Sequence, residues 1–178
     1  MRVEDLGLTF YGNPVLRKRA EEVALSDLGP DLDRLVKRMF EVMYEEEGVG
    51  LAAPQVGISK RIFVMDVPVE GKENKIGVMI NPEILETRDT QTGSEGCLSI
   101  PELREDVTRH AWLRVRGLDA QGKTVEFECD DLLARAVQHE VDHLDGVLYI
   151  DRLSPLKRKL LSRRLKEIAS ENAPRARE

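Results

Sequence analysis

Three histidines and two cysteines are all that this chain of 178 residues holds for soft-metal or thiol chemistry. Two cysteines, Cys97 and Cys129, are too few for the disulfide framework of a small secreted protein, and in a reducing compartment they read as free thiols or metal ligands. Long apolar runs are also missing: none approaches the roughly 18–20 residues that span a bilayer. The opening Met1-Arg-Val-Glu-Asp-Leu6 carries acids where a transit peptide avoids them and lacks the apolar stretch of a signal peptide, so a cytoplasmic location is expected. A net charge of −6 argues against a general nucleic-acid binder, and neither DNA nor a membrane is expected as a partner. Internal repeats and low-complexity linkers are absent as well.

That net charge hides an asymmetry. Between Leu153 and Glu178 there are eight Lys/Arg and three acids, a surplus of +5, so the other 152 residues carry −11. Hydrophobic residues make up 41% and charged residues 34%, an ordinary composition for a chain long enough to build one real core. Apolar residues at three- and four-residue steps (Leu32, Leu35, Val36, Met39, Met43) predict a helix from about Pro30 to Glu47, stopped at Gly48. Gly48-Val-Gly-Leu-Ala-Ala-Pro-Gln-Val-Gly57 reads as a loop that lets backbone approach something closely. Strands are expected at Arg61–Val67 and Ile76–Ile80, and a hairpin from about Leu113 to Cys129 with Leu113, Val115, Val125, Phe127 and Cys129 facing inward. Asp130-Asp131 is expected to cap a second helix carrying Leu132, Leu133, Ala136, Val137 and Val141 inward, with Gly146 as its stop. A third helix, from about Pro155 to Ser170, is expected to pack Leu156, Leu160, Leu161 and Ile168, and about residues 171–178 to fray. The economical reading is a single α+β domain over residues 1–178, with antiparallel or mixed β-sheets around a central helix and a C-terminal helix.

That central helix carries His139-Glu140-Val141-Asp142-His143. Imidazoles four residues apart face the same side of a helix, so two nitrogens can reach one metal ion. Glu140, rotated by about a quarter-turn, can lie beside the metal and handle protons without ligating. The bland alternative is a charged helix face with two incidental histidines. A catalytic site of this type needs a third protein ligand. The sequence follows the long metalloprotease signature as far as Gly146, but Tyr149 stands where the third His belongs, and no histidine follows His143. Asp145, Asp151, Glu167 and Glu171 remain as carboxylate candidates without a recognisable signature. Upstream, Cys97 in Glu95-Gly-Cys-Leu-Ser-Ile-Pro101 sits in a shaped loop or bent strand, where a metal would make it a thiolate. A lone Cys is more often a buried apolar residue, a description that suits Cys129.

Three segments, Gly48-Val-Gly-Leu-Ala-Ala-Pro-Gln55, Glu95-Gly-Cys-Leu-Ser99 and Gln138-His-Glu-Val-Asp-His143, closely resemble the signature motifs of peptide deformylase, in that family's order and with comparable spacing. Gly12-Asn-Pro-Val-Leu-Arg17 resembles the family's start. The resemblance, to the bacterial type with a C-terminal helix, implies Cys97, His139 and His143 as ligands of one divalent metal, natively Fe2+, with Zn2+, Ni2+ or Co2+ also suited to the donors. It implies removal of the N-formyl group from the initiator methionine of newly synthesised polypeptides, releasing formate. In that reaction metal-bound hydroxide attacks the formyl carbon and Glu140 serves as general base and then acid. Gln55 and the Leu98 N–H are the implied oxyanion donors, Gly50 offers backbone hydrogen bonds to an extended peptide, and Glu95 and Arg104 are weaker candidates for the pocket and its rim. The resemblance also makes ribosome contact through the basic C-terminal helix one of two open readings, the other being a helix that packs its apolar stripe and solvates its charges. Thr108, soon followed by Trp112, stands where many members carry proline, and Arg135 where an apolar pocket residue is common.

Overall fold

The computed structural model describes residues 2–172; the expected frayed end lies, from residue 173 onward, outside the described residues. Helix α1 spans Pro30–Glu45 and buries Leu32, Val36, Met39 and Met43 on one stripe. It ends earlier than Gly48 would suggest. Glu47 takes the left-handed conformation (φ 56°), and the Gly48 N–H donates to the Met43 carbonyl at 2.8 Å.

Five strands form one antiparallel sheet in the order β1-β2-β3-β6-β7: β1 Gly50–Ala52, β2 Ile62–Val67, β3 Lys75–Arg88, β6 Trp112–Leu118 and β7 Thr124–Asp130. The position of strand β2 explains why its sequence is apolar except at Asp66. Phe63, Met65 and Val67 point to one face of the sheet and Ile62 and Val64 to the other, and both faces are covered. On the first face lies helix α2 (Asp131–Leu144), which contributes Leu133, Ala134, Val137 and Leu144. On the second lies α1, with Met39 and Met43. The predicted β6–β7 hairpin buries Leu113, Val115 and Cys129, with Val125 and Phe127 half-buried.

A separate two-stranded antiparallel hairpin, β4 (Gln91–Cys97) and β5 (Ile100–Arg109), carries the cysteine. Its register shifts between Gly96 and Cys97, so the bend expected there is a bulge that re-aims the Cys97 side chain. Helix α3 (Pro155–Glu171) starts at Ser154, whose hydroxyl accepts from the Lys157 N–H at 3.3 Å.

Three expectations need correction. Residues 48–57 are not a plain loop, because Gly50–Ala52 pair with β2 and Ala53–Val56 form a 3-10 turn. Asp130 occupies the N-cap position of α2, but its side chain makes no capping bond. In α3 the buried residues are Leu165 and Ile168, packed on Leu16, Ile100 and Tyr149, while Leu156 and Leu160 are 68% and 74% exposed. The expected stripe holds at Ile168 and in part at Leu161, whereas the first turn meets the body through polar contacts, Lys157 with Glu105 and Arg158 with the Asp151 carbonyl.

Candidate functional site

Helix α2 sets His139 and His143 one turn apart on a buried face, and the bulge at the end of β4 brings Cys97 to them. Cys97 Sγ lies 3.2 Å from His143 Nε2, which lies 3.2 Å from His139 Nε2. These three donor atoms all fall within 4.8 Å of one another, and among the described residues no other such cluster of His, Cys, Asp or Glu occurs. The downstream carboxylates weighed as ligands are engaged elsewhere: Asp145 with Arg61 and Arg19, Asp151 with Arg17, Glu167 with Arg163 and Arg164, Glu171 with Arg164.

The donor set fits a divalent cation. The Nδ1 of His139 stands 3.0 Å from Glu95 Oε2, a contact in which the ring donates and its Nε2 keeps a lone pair. That lone pair faces a second ring nitrogen and the cysteine sulfur, a set of donor atoms that one divalent cation would satisfy together. The surroundings of His139 pull its basicity in opposite directions. Burial alone would lower its pKa, but the contacts with Cys97 and Glu95 outweigh burial and raise it to about 10. Burial, together with the neighbouring His139 and Arg109 charges, holds His143 well below its ordinary value. A soft thiolate with two imidazoles suits zinc, iron, cobalt or nickel.

Glu140 points into the same space from the next position of the helix. Burial raises its carboxyl to about 7, and its Oε2 is buried without a hydrogen-bond partner. Gly50 is glycine because of it: a Cβ there would stand 2.5 Å from Glu140 Oε1. Gln55 sits in the 3-10 turn, 1% exposed. Its Oε1 accepts from the Ala52 N–H at 2.9 Å, which aims Nε2 at Ser99 Oγ (3.2 Å) and Cys97 Sγ (3.6 Å). Leu98 occupies the two-residue turn between β4 and β5 and packs over Gly48. The cleft in front of these groups is about 620 Å³, walled by Glu46–Gly50 on one side, by β4 and β5 on the other, and floored by Leu132, Ala136 and Glu140.

Glu95 and Arg104 separate in character. Arg104 is exposed on the rim, its Nε 3.4 Å from Ser94 Oγ. Glu95 is buried and organises the site rather than pairing at the surface. It takes two bonds from Arg109 (2.7 and 2.8 Å), one from Arg135 (2.7 Å) and the His139 contact. Burial would raise the Glu95 carboxyl, but Arg109 and His139 hold it well below the usual carboxylate range. Arg109 continues to Asp142 at 2.6 Å, and Arg152 closes on the same carboxylate at 2.6 Å. The sequence reading assigned no role to Arg109, Asp142 or Arg152, because charges spaced along a strand and a helix resemble a solvated surface. Tyr149, where a third His was sought, stacks on His139 with ring centroids 6.2 Å apart and donates to the Leu103 carbonyl at 3.1 Å. It packs beside the ligand instead of replacing one.

Comparison with known proteins gives matches over most of the chain. The family model for polypeptide deformylase matches residues 6–159. A peptide deformylase of Thermodesulfovibrio yellowstonii is 46% identical over 161 residues, covering 90% of this chain and 96% of that protein. One from Thermotoga neapolitana is 51% identical over 160 residues, covering 89% and 93%. The crystal structure of peptide deformylase from Thermus thermophilus superposes with a TM-score of 0.84 at 38% identity, covering 93% of this chain and 98% of that one.

Proposed function

Because the chain belongs to the polypeptide deformylase family, we propose how its own residues carry out that family's reaction. The activity is metal-dependent hydrolysis that removes the N-formyl group from newly synthesised polypeptides. Cys97, His139 and His143 would hold the ion, with ferrous iron as the native metal and Zn2+, Ni2+ or Co2+ as alternatives compatible with the donors. A bound divalent ion supplies a water made acidic enough to attack near neutral pH and polarises the carbonyl it faces.

Glu140 takes the proton of the attacking water and returns it to the leaving amine. Burial raises its carboxyl above the ordinary value, the direction that suits a group that first accepts and then returns a proton. Its Oε2 is buried without a hydrogen-bond partner, so no protein donor competes for the carboxylate there. Gln55 Nε2 and the Leu98 N–H donate to the oxygen that becomes negative as the formyl carbon turns tetrahedral. Strand β1 is an edge of its sheet and lies on the cleft, so the backbone of Gly50 can pair with an extended peptide as an added strand. Glu95 holds His139 from behind, and Arg104 contacts the peptide at the rim.

The observation that carries this reading is the meeting of Cys97, His139 and His143 with the buried, unpartnered Glu140 carboxylate. No helix among the described residues is long and apolar enough to cross a membrane; the cytoplasmic location belongs to the proposal and follows from the family's substrate, newly synthesised polypeptides. Contact of the basic α3 with the ribosome is part of the proposal. It rests on the exposed Leu156, Lys159, Leu160 and Lys166 of that helix, and cutting the chain before Leu156 should abolish co-sedimentation with ribosomes at low salt. The test of the chemistry is product analysis with formyl-methionyl peptides. Formate without cleavage of internal peptide bonds is expected; internal cleavage would make the protein a peptidase.

A further inference from the structure

The three donors of the metal centre come from two elements that meet through polar groups. The apolar cluster under α2 includes residues of β2, β3, β6 and β7 and none of β4 or β5. Where α2 faces the hairpin it presents Arg135, Gln138, His139 and Asp142, all buried. Hydrophobic contact gives no fixed distance between such elements, whereas hydrogen-bonded charges do.

Arg135 makes the widest of these connections. Its side chain is 8% exposed. Nη1 donates to Glu95 Oε1 at 2.7 Å and to the Val107 carbonyl at 2.9 Å, and Nη2 donates to the Gln91 carbonyl at 3.3 Å. It thus spans both strands of the hairpin and holds the carboxylate that faces His139 Nδ1. It stands one helical turn before His139 on the same face. Arg109, the other guanidinium on Glu95, belongs to β5, so its grip on Glu95 stays within the hairpin. The close fit at Gly93 shows how tightly the arginine is seated: a Cβ there would be 3.3 Å from Arg135 Nη2.

We infer that Arg135 is a positioning residue for the metal centre, setting through its bond to Glu95, the carboxylate that faces His139, the separation between the α2 imidazoles and the Cys97 thiolate. This rests on the metal-site reading above. An arginine at this place in the cleft wall could otherwise serve only to shape the space for the substrate's first side chain, and the two roles differ in what they do to the ion.

The test uses Co2+-loaded protein and competition with a chelator, which reads metal affinity independently of turnover. Arg135→Met is expected to weaken Co2+ binding by about 10-fold, the lower end of the range for groups that orient metal ligands. Arg135→Gln, uncharged and too short to reach both strands, is expected to show the same loss and carries the test by itself if the Met variant fails to fold. Because the arginine acts through Glu95, adding Arg135→Met to a Glu95→Gln protein should cost less than about 2-fold more. Wild-type Co2+ affinity in both Arg135 variants with a raised KM would overturn the inference and make Arg135 a cleft wall. A full additional loss in the Glu95→Gln background would overturn it too, since the arginine would then act independently of the carboxylate. Cys97→Ser, measured alongside, separates this from failure of the site itself: unchanged Co2+ affinity there would remove the metal-site reading and this inference together.

Discussion

Helix α2 has two junctions of opposite chemistry. Towards the five-stranded sheet it presents Leu133, Ala134, Val137 and Leu144; towards the hairpin it presents Arg135, Gln138, His139 and Asp142. The first junction is favourable by area and tolerant in direction. The second costs desolvation of several charges and recovers it only because each is multiply hydrogen-bonded. The difference assigns the two junctions separate tasks. The sheet side keeps the helix folded, and the hairpin side sets where its imidazoles stand relative to the thiolate.

Breaking each side in turn sharpens the contrast. Phe63→Ala, under the sheet face, should cost about 3–5 kcal/mol in urea unfolding, yet leave Co2+ affinity within about 2-fold in the protein that still folds. Arg109→Met should cost a similar 3–5 kcal/mol, because it leaves Glu95 and Asp142 buried with fewer partners, and here metal affinity should fall as well. A Phe63 variant that loses metal as readily as the Arg109 variant would dissolve the distinction. Gln55→Ala removes the proposed oxyanion donor and should lower turnover by about 10²–10³-fold, or 2.7–4 kcal/mol, with metal content unchanged.

Acid titration examines the polar side alone. Glu95 is held below its ordinary pKa of 4.5. A depressed carboxyl contributes stability that is fully present above the unfolded value and is lost as pH falls through the folded one. Unfolding free energy of the metal-free protein should therefore decline below about pH 4.5, and Glu95→Gln should flatten that decline. An unchanged slope in the variant would show that the acid sensitivity lies elsewhere. The smallest effect belongs to α3: Arg163, 92% exposed beside Glu167, should contribute less than about 0.5 kcal/mol by alanine substitution in the same unfolding assay.

The two junctions were also unequally legible in the sequence. Leu133, Val137, Leu113 and Val115 follow periods of 3.6 and 2, so the sheet side could be read directly. Local spacing likewise exposed His139, Glu140 and His143. Cys97, Gln55 and Leu98 lie far from these in sequence, and only the resemblance between motifs joined them to the helix. The charged network between helix and hairpin was not legible as a network, although Glu95 and Arg135 stood out singly. Glu95, Arg109, Arg135, Asp142 and Arg152 are partners only because a hairpin folds over a helix, and nothing local distinguishes them from surface charges. Strand β1 was hidden for a related reason, since three residues rich in glycine and alanine pair with β2 through backbone bonds that composition does not record.

The most direct test of the central claim, that Cys97, His139 and His143 hold the ion while Glu140 moves the proton, is one paired measurement on Glu140→Ala purified without oxygen: metal per chain by elemental analysis and formate released from a formyl-methionyl peptide. One metal ion per chain with formate release lowered by at least about 10²-fold is the predicted result. Formate release at the wild-type rate from metal-loaded Glu140→Ala would contradict it.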